Sequence, residues 1–233
     1  MEKKTLVFDL DDTLVKEIDY LKSAFAAIAA HLDIESDSLS NEMFEWYKGK
    51  EDVFGQLESR YEHAVKEELK NLYRTHVPRF DPLSANRDLL RELKEDGHYL
   101  GLISDGFSIT QRNKIRALDI EDLFDLIVIS EEFGSTKPDK RNFEVFSQFG
   151  TQEYYYISDN VSKDFIAPNQ LGWKTVCLLD SGENIHAQDF NKEILYLPAI
   201  KITDLSELKD IINQPINGNN KKNSAQTRQN DGF

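Results

Sequence analysis

One cysteine stands in the 233 residues, so no disulfide can form within the chain. It is Cys177, set in an apolar run, where a buried and inert thiol is the ordinary outcome. Long apolar stretches are also missing. None approaches the ~18 residues that read as a membrane span. The start of the chain is charged, but the short apolar stretch after it is broken by Asp9, so no secretory leader is expected. Positive charge is scarce: 28 Lys and Arg stand against 42 Asp and Glu, a net charge of -14. That argues against nonspecific binding to nucleic acid or to acidic membranes, both of which need a broad basic face. It leaves room for a small local anion site. His31, His63, His76, His98 and His186 show no HxH or HExxH spacing, so a zinc centre is not indicated. Neither GxxxxGK[ST] nor GxGxxG occurs, which removes the nucleotide-loop folds. A cytoplasmic location is the expectation.

What is present is an ordinary globular composition, 39% hydrophobic and 30% charged, long enough for one large domain or two small ones. The stretch Leu6–Thr13, LVFDLDDT, stands out. Thr5–Leu10 reads as a buried strand because Leu6, Val7, Phe8 and Leu10 lack polar alternation. Asp9, Asp11 and Asp12 crowd its carboxyl end. A plain acidic turn capping the next helix is one reading. A divalent cation that relieves the repulsion is the other, and Mg2+ prefers carboxylate and water oxygens.

Three helical patterns follow, over Glu17–His31, Glu35–Lys48 and Asp52–Arg74, closed by Pro78 and Pro82. About 60 residues thus carry helices and no strand, which reads as a helical insertion able to cover the edge of a sheet domain. From Leu83 helices and strands alternate. Helices are predicted at Ser84–Asp96, Ile109–Leu118, Lys140–Phe149 and Lys163–Leu171. Strands are predicted at Tyr99–Ser104, Phe124–Ser130, Tyr154–Ser158 and Lys174–Leu179. A short strand at Leu195–Ile200 and a helix at Asp204–Ile212 complete the set. Strands separated by helices of this length mean βαβ units and a mostly parallel sheet. Gln214–Phe233, rich in Asn and Gln, reads as a disordered tail.

A parallel sheet gathers the residues that follow its strands at one edge. Here they are Asp9, Asp11 and Asp12, then Ser104 and Asp105, then Lys137, then Asp159 with Asp164 five residues on. Several carboxylates, a hydroxyl and one lysine suit phosphoryl chemistry. Carboxylates hold Mg2+, hydroxyl and ammonium take phosphoryl oxygens, and one carboxylate attacks phosphorus while another handles the proton.

The four pieces DLDDT at 9–13, ISD at 103–105, STKPD around Lys137 and ISDN…D at 157–164 resemble, in order, the signatures of the haloacid dehalogenase-like (HAD) superfamily of hydrolases. The resemblance runs to about Ile212. It implies an α/β fold, a Rossmann-like three-layer parallel sheet core over residues 1–15 and 80–212. A small helical C1-type cap of subfamily I would be inserted at 16–79. By the same resemblance Asp9 is nucleophile and Mg2+ ligand, and Asp11 is general acid/base and metal ligand through its main-chain oxygen. Thr13 steadies the turn into the cap. Ser104 and the Asp105 N–H bind phosphate, Lys137 bridges phosphate and nucleophile, and Asp159 and Asp164 serve the metal.

The resemblance further implies Mg2+-dependent hydrolysis of a small phosphorylated metabolite through an aspartyl-phosphate, by a monomer or homodimer. Asp11 favours phosphate transfer over dehalogenation, since dehalogenase members generally lack an aspartate there. A phosphomutase, a dehalogenase and a non-catalytic binding protein of the same fold remain as alternatives. One departure is Ser158 where the family commonly has Gly, which puts metal placement in question. Lys163 reads equally as ion-paired or as anion-binding. Tyr20, Phe44, Trp46 and Tyr47 fill the insert's core or line the cleft, and Phe107 lies nearer the site.

Overall fold

The computed structural model describes residues 2–80 and 86–213. Six strands form one parallel sheet: β1 (Thr5–Phe8), β2 (Tyr99–Ser104), β3 (Leu126–Ile129), β4 (Tyr154–Ser158), β5 (Lys174–Leu178) and β6 (Ile200–Ile202). Their spatial order is β3-β2-β1-β4-β5-β6. The order reverses at β1, which pairs with β2 on one side and β4 on the other. The carboxyl ends of strands at such a reversal border a crevice, the usual ligand position in an open α/β sheet.

The near-continuous apolar runs of the strands have the reason expected of a parallel sheet, since both faces are covered. Leu6, Phe8, Leu100, Leu102, Tyr155 and Ile157 point to one face. There they meet α5 (Arg87–Glu95), α6 (Ser108–Ala117) and α10 (Leu208–Asn213) through Leu90, Leu93, Ile115, Leu208 and Ile212. Val7, Ile103, Val128, Tyr156 and Cys177 point to the other. They pack on Phe143 and Phe146, carried by α8 (Arg141–Glu144) and the 3-10 turn after it, and on Phe165 and Ala167 around α9 (Ile166–Gln170). A short helix, α7 (Ser130–Phe133), follows β3 directly. The three-layer α/β architecture is therefore present, and Cys177 is free and buried.

Between β1 and β2 lie α1 (Glu17–His31), α2 (Ser36–Lys48), α3 (Val53–Arg60) and α4 (Lys66–Thr75). They enclose an apolar cluster of their own, with Leu21, Phe25, Ile28, Met43, Leu57 and Leu69 at its centre. No described helix is long and apolar enough to cross a membrane.

Several elements differ from the sequence expectation. Asp52–Arg74 is two helices, because Tyr61 and Val65 are extended. A straight helix of that length would run about 34 Å at 1.5 Å per residue. Folding back instead brings Val53, Leu57, Ala64 and Leu69 into one cluster. Glu58 stabilises the break by accepting the Lys66 N–H at 3.0 Å, and the Lys66 ammonium pairs with Asp52. The last strand is Ile200–Ile202 rather than Leu195–Ile200, with a 3-10 turn at Ile194–Tyr196. Pro198 has no N–H to give a ladder, so pairing begins only at Ile200, opposite Val176. The fourth core helix is confined to Ile166–Gln170. The predicted start at Ser84 and the whole tail Gln214–Phe233 lie outside the described residues.

Candidate active site

The sheet carries Asp9 one residue beyond β1, where its N–H still donates to the Ile157 carbonyl at 2.9 Å. The side chain is buried, and Oδ1 accepts from Lys137 Nζ at 2.7 Å. The same ammonium donates to Asp164 Oδ2 at 2.7 Å and to the Tyr156 hydroxyl at 3.2 Å. Asp164 Oδ2 also accepts from Tyr156 at 3.0 Å and from Ser158 Oγ at 2.6 Å. Its other oxygen is buried without a partner. One lysine is thus shared by two buried carboxylates. Burial alone would lower its pKa, but Asp164 and Asp9 outweigh it and hold the ammonium well above the usual lysine range.

Asp11 has partners of its own. Its Oδ1 accepts from Lys114 Nζ at 2.6 Å and its Oδ2 from Gln111 Nε2 at 2.8 Å, both from α6. Gln111 also donates to Ser104 Oγ, tying the end of β2 to the end of β1. Asp12 sits at φ 55°, a left-handed position that Asp tolerates better than most residues. Its carboxylate is spent on structure, accepting the N–H of Glu17 at 2.9 Å and of Ile185 at 3.1 Å. The capping-turn reading thus holds for Asp12. Asp105 Oδ1 accepts the Lys137 N–H at 3.1 Å and its Oδ2 pairs with Lys163. Lys163 is therefore ion-paired. Asp159 Oδ2 accepts from Asn184 Nδ2 at 2.9 Å, and Asn184 Oδ1 accepts from Lys16 at 2.6 Å.

These side chains line a cleft of about 150 Å3 bordered by Asp9, Asp11, Ser104, Asp105, Lys137 and Asp159. Asp164 lies beneath it, behind Lys137. Burial is the main cause that pushes the Asp9 carboxyl up to about 7, with Asp164 and Asp11 adding to it. Burial and then the charge of Asp9 push Asp159 up to about 8. Among the described residues no group of three Asp, Glu, His or Cys side chains is arranged to hold a metal ion by itself.

A second cavity of about 370 Å3 adjoins the cleft and shares Asp11, Glu17 and Asp105 with it. Tyr20 and Phe107 line this cavity, whereas Trp46 is in the helical insert's core and Phe44 packs against it. Tyr47 lies at the surface beside Phe44.

Sequence reasoning gathered Asp9, Asp11, Ser104, Asp105, Lys137, Asp159 and Asp164 but missed Gln111, Lys114, Tyr156 and Asn184. Gln111 and Lys114 sit mid-helix with no motif around them. Tyr156 is the middle of an apolar strand, and Asn184 lies in a loop far along the chain. Only folding reveals what each touches. Ser158 has an ordinary backbone, absent from the positive-φ residues, and its hydroxyl fixes Asp164.

The chain is similar to several known proteins. A glyceraldehyde 3-phosphate phosphatase of Methanocaldococcus jannaschii is 29% identical over 229 residues, 90% of this chain and 96% of that protein. One from Pyrococcus furiosus is 30% identical over 191 residues, 74% of this chain and 79% of that protein. The HAD-hydrolase YfnB of Bacillus subtilis, solved with magnesium bound, superposes with a TM-score of 0.64 at 19% identity, covering 92% of this chain and 100% of its own. The family model of the haloacid dehalogenase-like hydrolases matches residues 6–178. That span holds Asp9, Asp11, Ser104, Lys137, Asp159 and Asp164, the residues at or beneath the cleft, and the chain belongs to the haloacid dehalogenase-like hydrolases.

Proposed function

We propose that the protein is a Mg2+-dependent phosphomonoesterase that hydrolyses a small phosphorylated metabolite through an aspartyl-phosphate on Asp9. The observation that carries this reading is that two carboxylates with different partners, Asp9 and Asp11, line one small cleft. Asp9 is pinned by a buried ammonium, and Asp11 is held by Lys114 and Gln111. The names of the two archaeal relatives support the phosphate class.

The donor set suits Mg2+. Asp9 and Asp159 are buried at the ends of adjacent strands, and the charge of Asp9 adds to the burial that raises Asp159. An ion of this kind takes one or two carboxylates and completes its shell with water and substrate oxygens, so a closed protein cage is not needed. Asp9 and Asp159 would hold it with the Asp11 main-chain oxygen, and Asp164 would act through its free oxygen or by fixing Lys137. When bound, the ion neutralises phosphoryl charge.

Asp9 attacks phosphorus, the P–O bond to the leaving group breaks, and Asp11 gives that oxygen its proton. Lys137 and Ser104 take the charge that builds on the equatorial oxygens. Asp11, now a carboxylate, accepts a proton from water as the water oxygen attacks phosphorus. The Asp9–phosphorus bond breaks and phosphate leaves. The accepting geometry of Asp11 toward Lys114 and Gln111 is that of this base form. A halide leaving group would need no such proton, which is why Asp11 speaks against dehalogenation.

The test is phosphate release from a panel of small phosphomonoesters, with Mg2+ and with EDTA, by wild type and Asp9→Asn. Release confined to wild type with Mg2+ is the expected result. Activity unchanged in Asp9→Asn would remove Asp9 as the nucleophile.

A further inference from the structure

The cavity beside the cleft has an uneven distribution of charge. Its three acidic residues, Asp11, Glu17 and Asp105, are the ones it shares with the catalytic cleft. Among the described residues the remainder of its lining holds no carboxylate and three cations, Lys70, Arg74 and Lys114. This occurs in a chain of net charge -14. Lys114 is committed to Asp11. Among the described residues Lys70 pairs only with exposed Glu67 at 2.7 Å within its own helix, a contact of small worth that leaves the ammonium free to re-aim.

Arg74 is the most available of the three. Among the described residues it has no carboxylate within ion-pair distance, and its guanidinium lies 4.4 Å from the centre of the Phe107 ring. Stacking on an aromatic face leaves the donor edge of the guanidinium open, the arrangement that suits a planar or tetrahedral oxyanion. The backbone that carries Arg74 is also fixed in place. Thr110 Oγ1 donates to the Arg74 carbonyl at 3.0 Å, and Asn113 Nδ2 donates to the carbonyls of Thr75 at 3.0 Å and His76 at 3.1 Å. The end of α4 is thereby bonded to α6, the helix that holds Asp11.

We propose that this cavity is a subsite for a second anionic group at the far end of the substrate, recognised by Arg74 with help from Lys70. The inference rests on the phosphomonoesterase reading and narrows its substrate class to esters with two anionic ends. The reacting phosphate lies between Asp9 and Asp11, and the leaving group extends past the shared acidic wall toward the cations. Phe107 supports Arg74 and the neighbouring aromatic rings flank the carbon skeleton.

Two matched ligand pairs test this. 3-Phosphoglycerate and glycerol 3-phosphate differ by a carboxylate, and fructose 1,6-bisphosphate and fructose 6-phosphate by a phosphate. Affinities are measured calorimetrically on Asp9→Asn, so that no turnover is required, and kcat/KM on the Asp9-containing enzyme. The member with two anionic ends binds at least about tenfold tighter in one pair or both, and the pair that responds identifies the distal group. Adding Arg74→Ala reduces that ratio at least about fivefold, Arg74→Lys restores part of it, and Lys22→Ala, which removes an exposed cation outside the cavity, leaves it intact. Equal affinities within both pairs, or a preference that survives Arg74→Ala, overturns the subsite. A preference with the expected response to Arg74→Ala but no phosphate release upholds the subsite and overturns the phosphomonoesterase reading instead.

Discussion

Asp9, Lys137 and Asp164 show how buried charge is made tolerable. An isolated ion in the interior is very costly, and breaking a buried pair by removing one partner commonly costs ~3–5 kcal/mol. Here one ammonium serves two carboxylates, and Tyr156 and Ser158 both donate to the same oxygen of the second, Asp164 Oδ2. Asp159 lacks such a cation. Its carboxyl is raised to about 8, first by burial and then by Asp9. A carboxyl whose folded pKa lies above its unfolded one keeps its proton longer in the folded state. Its contribution to stability is whole below about 4, the unfolded carboxylate value, and is lost as pH rises toward 8. In metal-free protein Asp159→Asn therefore raises the melting temperature, and the gain is larger at pH 8 than at pH 5. Thermal melts in EDTA at both values check this. A gain that shrinks as pH rises would mean that Asp159 is not held up by burial.

Among the elements, β2 shows how a strand is fitted to its cover. A Cβ added at Gly101 would lie 2.2 Å from the Phe146 ring. The ring belongs to the aromatic layer that also holds Phe143, Tyr156 and Trp173. Gly101→Ala should destabilise the fold by ~1–3 kcal/mol, the usual cost of overpacking. Urea denaturation reads it as a lower midpoint at unchanged slope. An unchanged midpoint would show that Phe146 relaxes freely. The helices of the insert follow the same logic. Their apolar periodicity marks a helical segment, but the break between α3 and α4 depends on Glu58, Lys66 and Asp52, which meet only when the chain folds back.

At the scale of the whole molecule, the cleft exists only when β1 and β4 lie side by side, because Asp9 and Asp159 come from their separate ends. A ligand that binds only the folded state raises stability in proportion to RT ln(1 + [L]/Kd). MgCl2 is therefore expected to raise the melting temperature in a saturable way. NaCl at equal ionic strength should raise it less, since it only screens the self-repulsion of a chain at -14. The magnesium-specific part should vanish in Asp159→Asn. Equal effects of the two salts would argue against a metal site at these carboxylates.

The α/β alternation, the helical insertion and the acidic and basic residues at the strand ends are legible in the order of residues along the chain. These are properties of local order. Apolar runs, helix periodicity and the residue after a strand are all contained in short windows, and a parallel sheet then brings the strand ends to one edge. Asp9, Ser104, Lys137 and Asp159 were legible for that reason. Which partner each of them receives depends on contacts made in the folded chain. Lys114 and Gln111 reach Asp11 across about 100 positions, and Asn184 approaches Asp159 from a loop. Ser158, a departure when read as sequence, becomes a hydrogen bond to Asp164. Contacts between distant segments depend on how helices dock and loops return, which no short stretch of residues encodes.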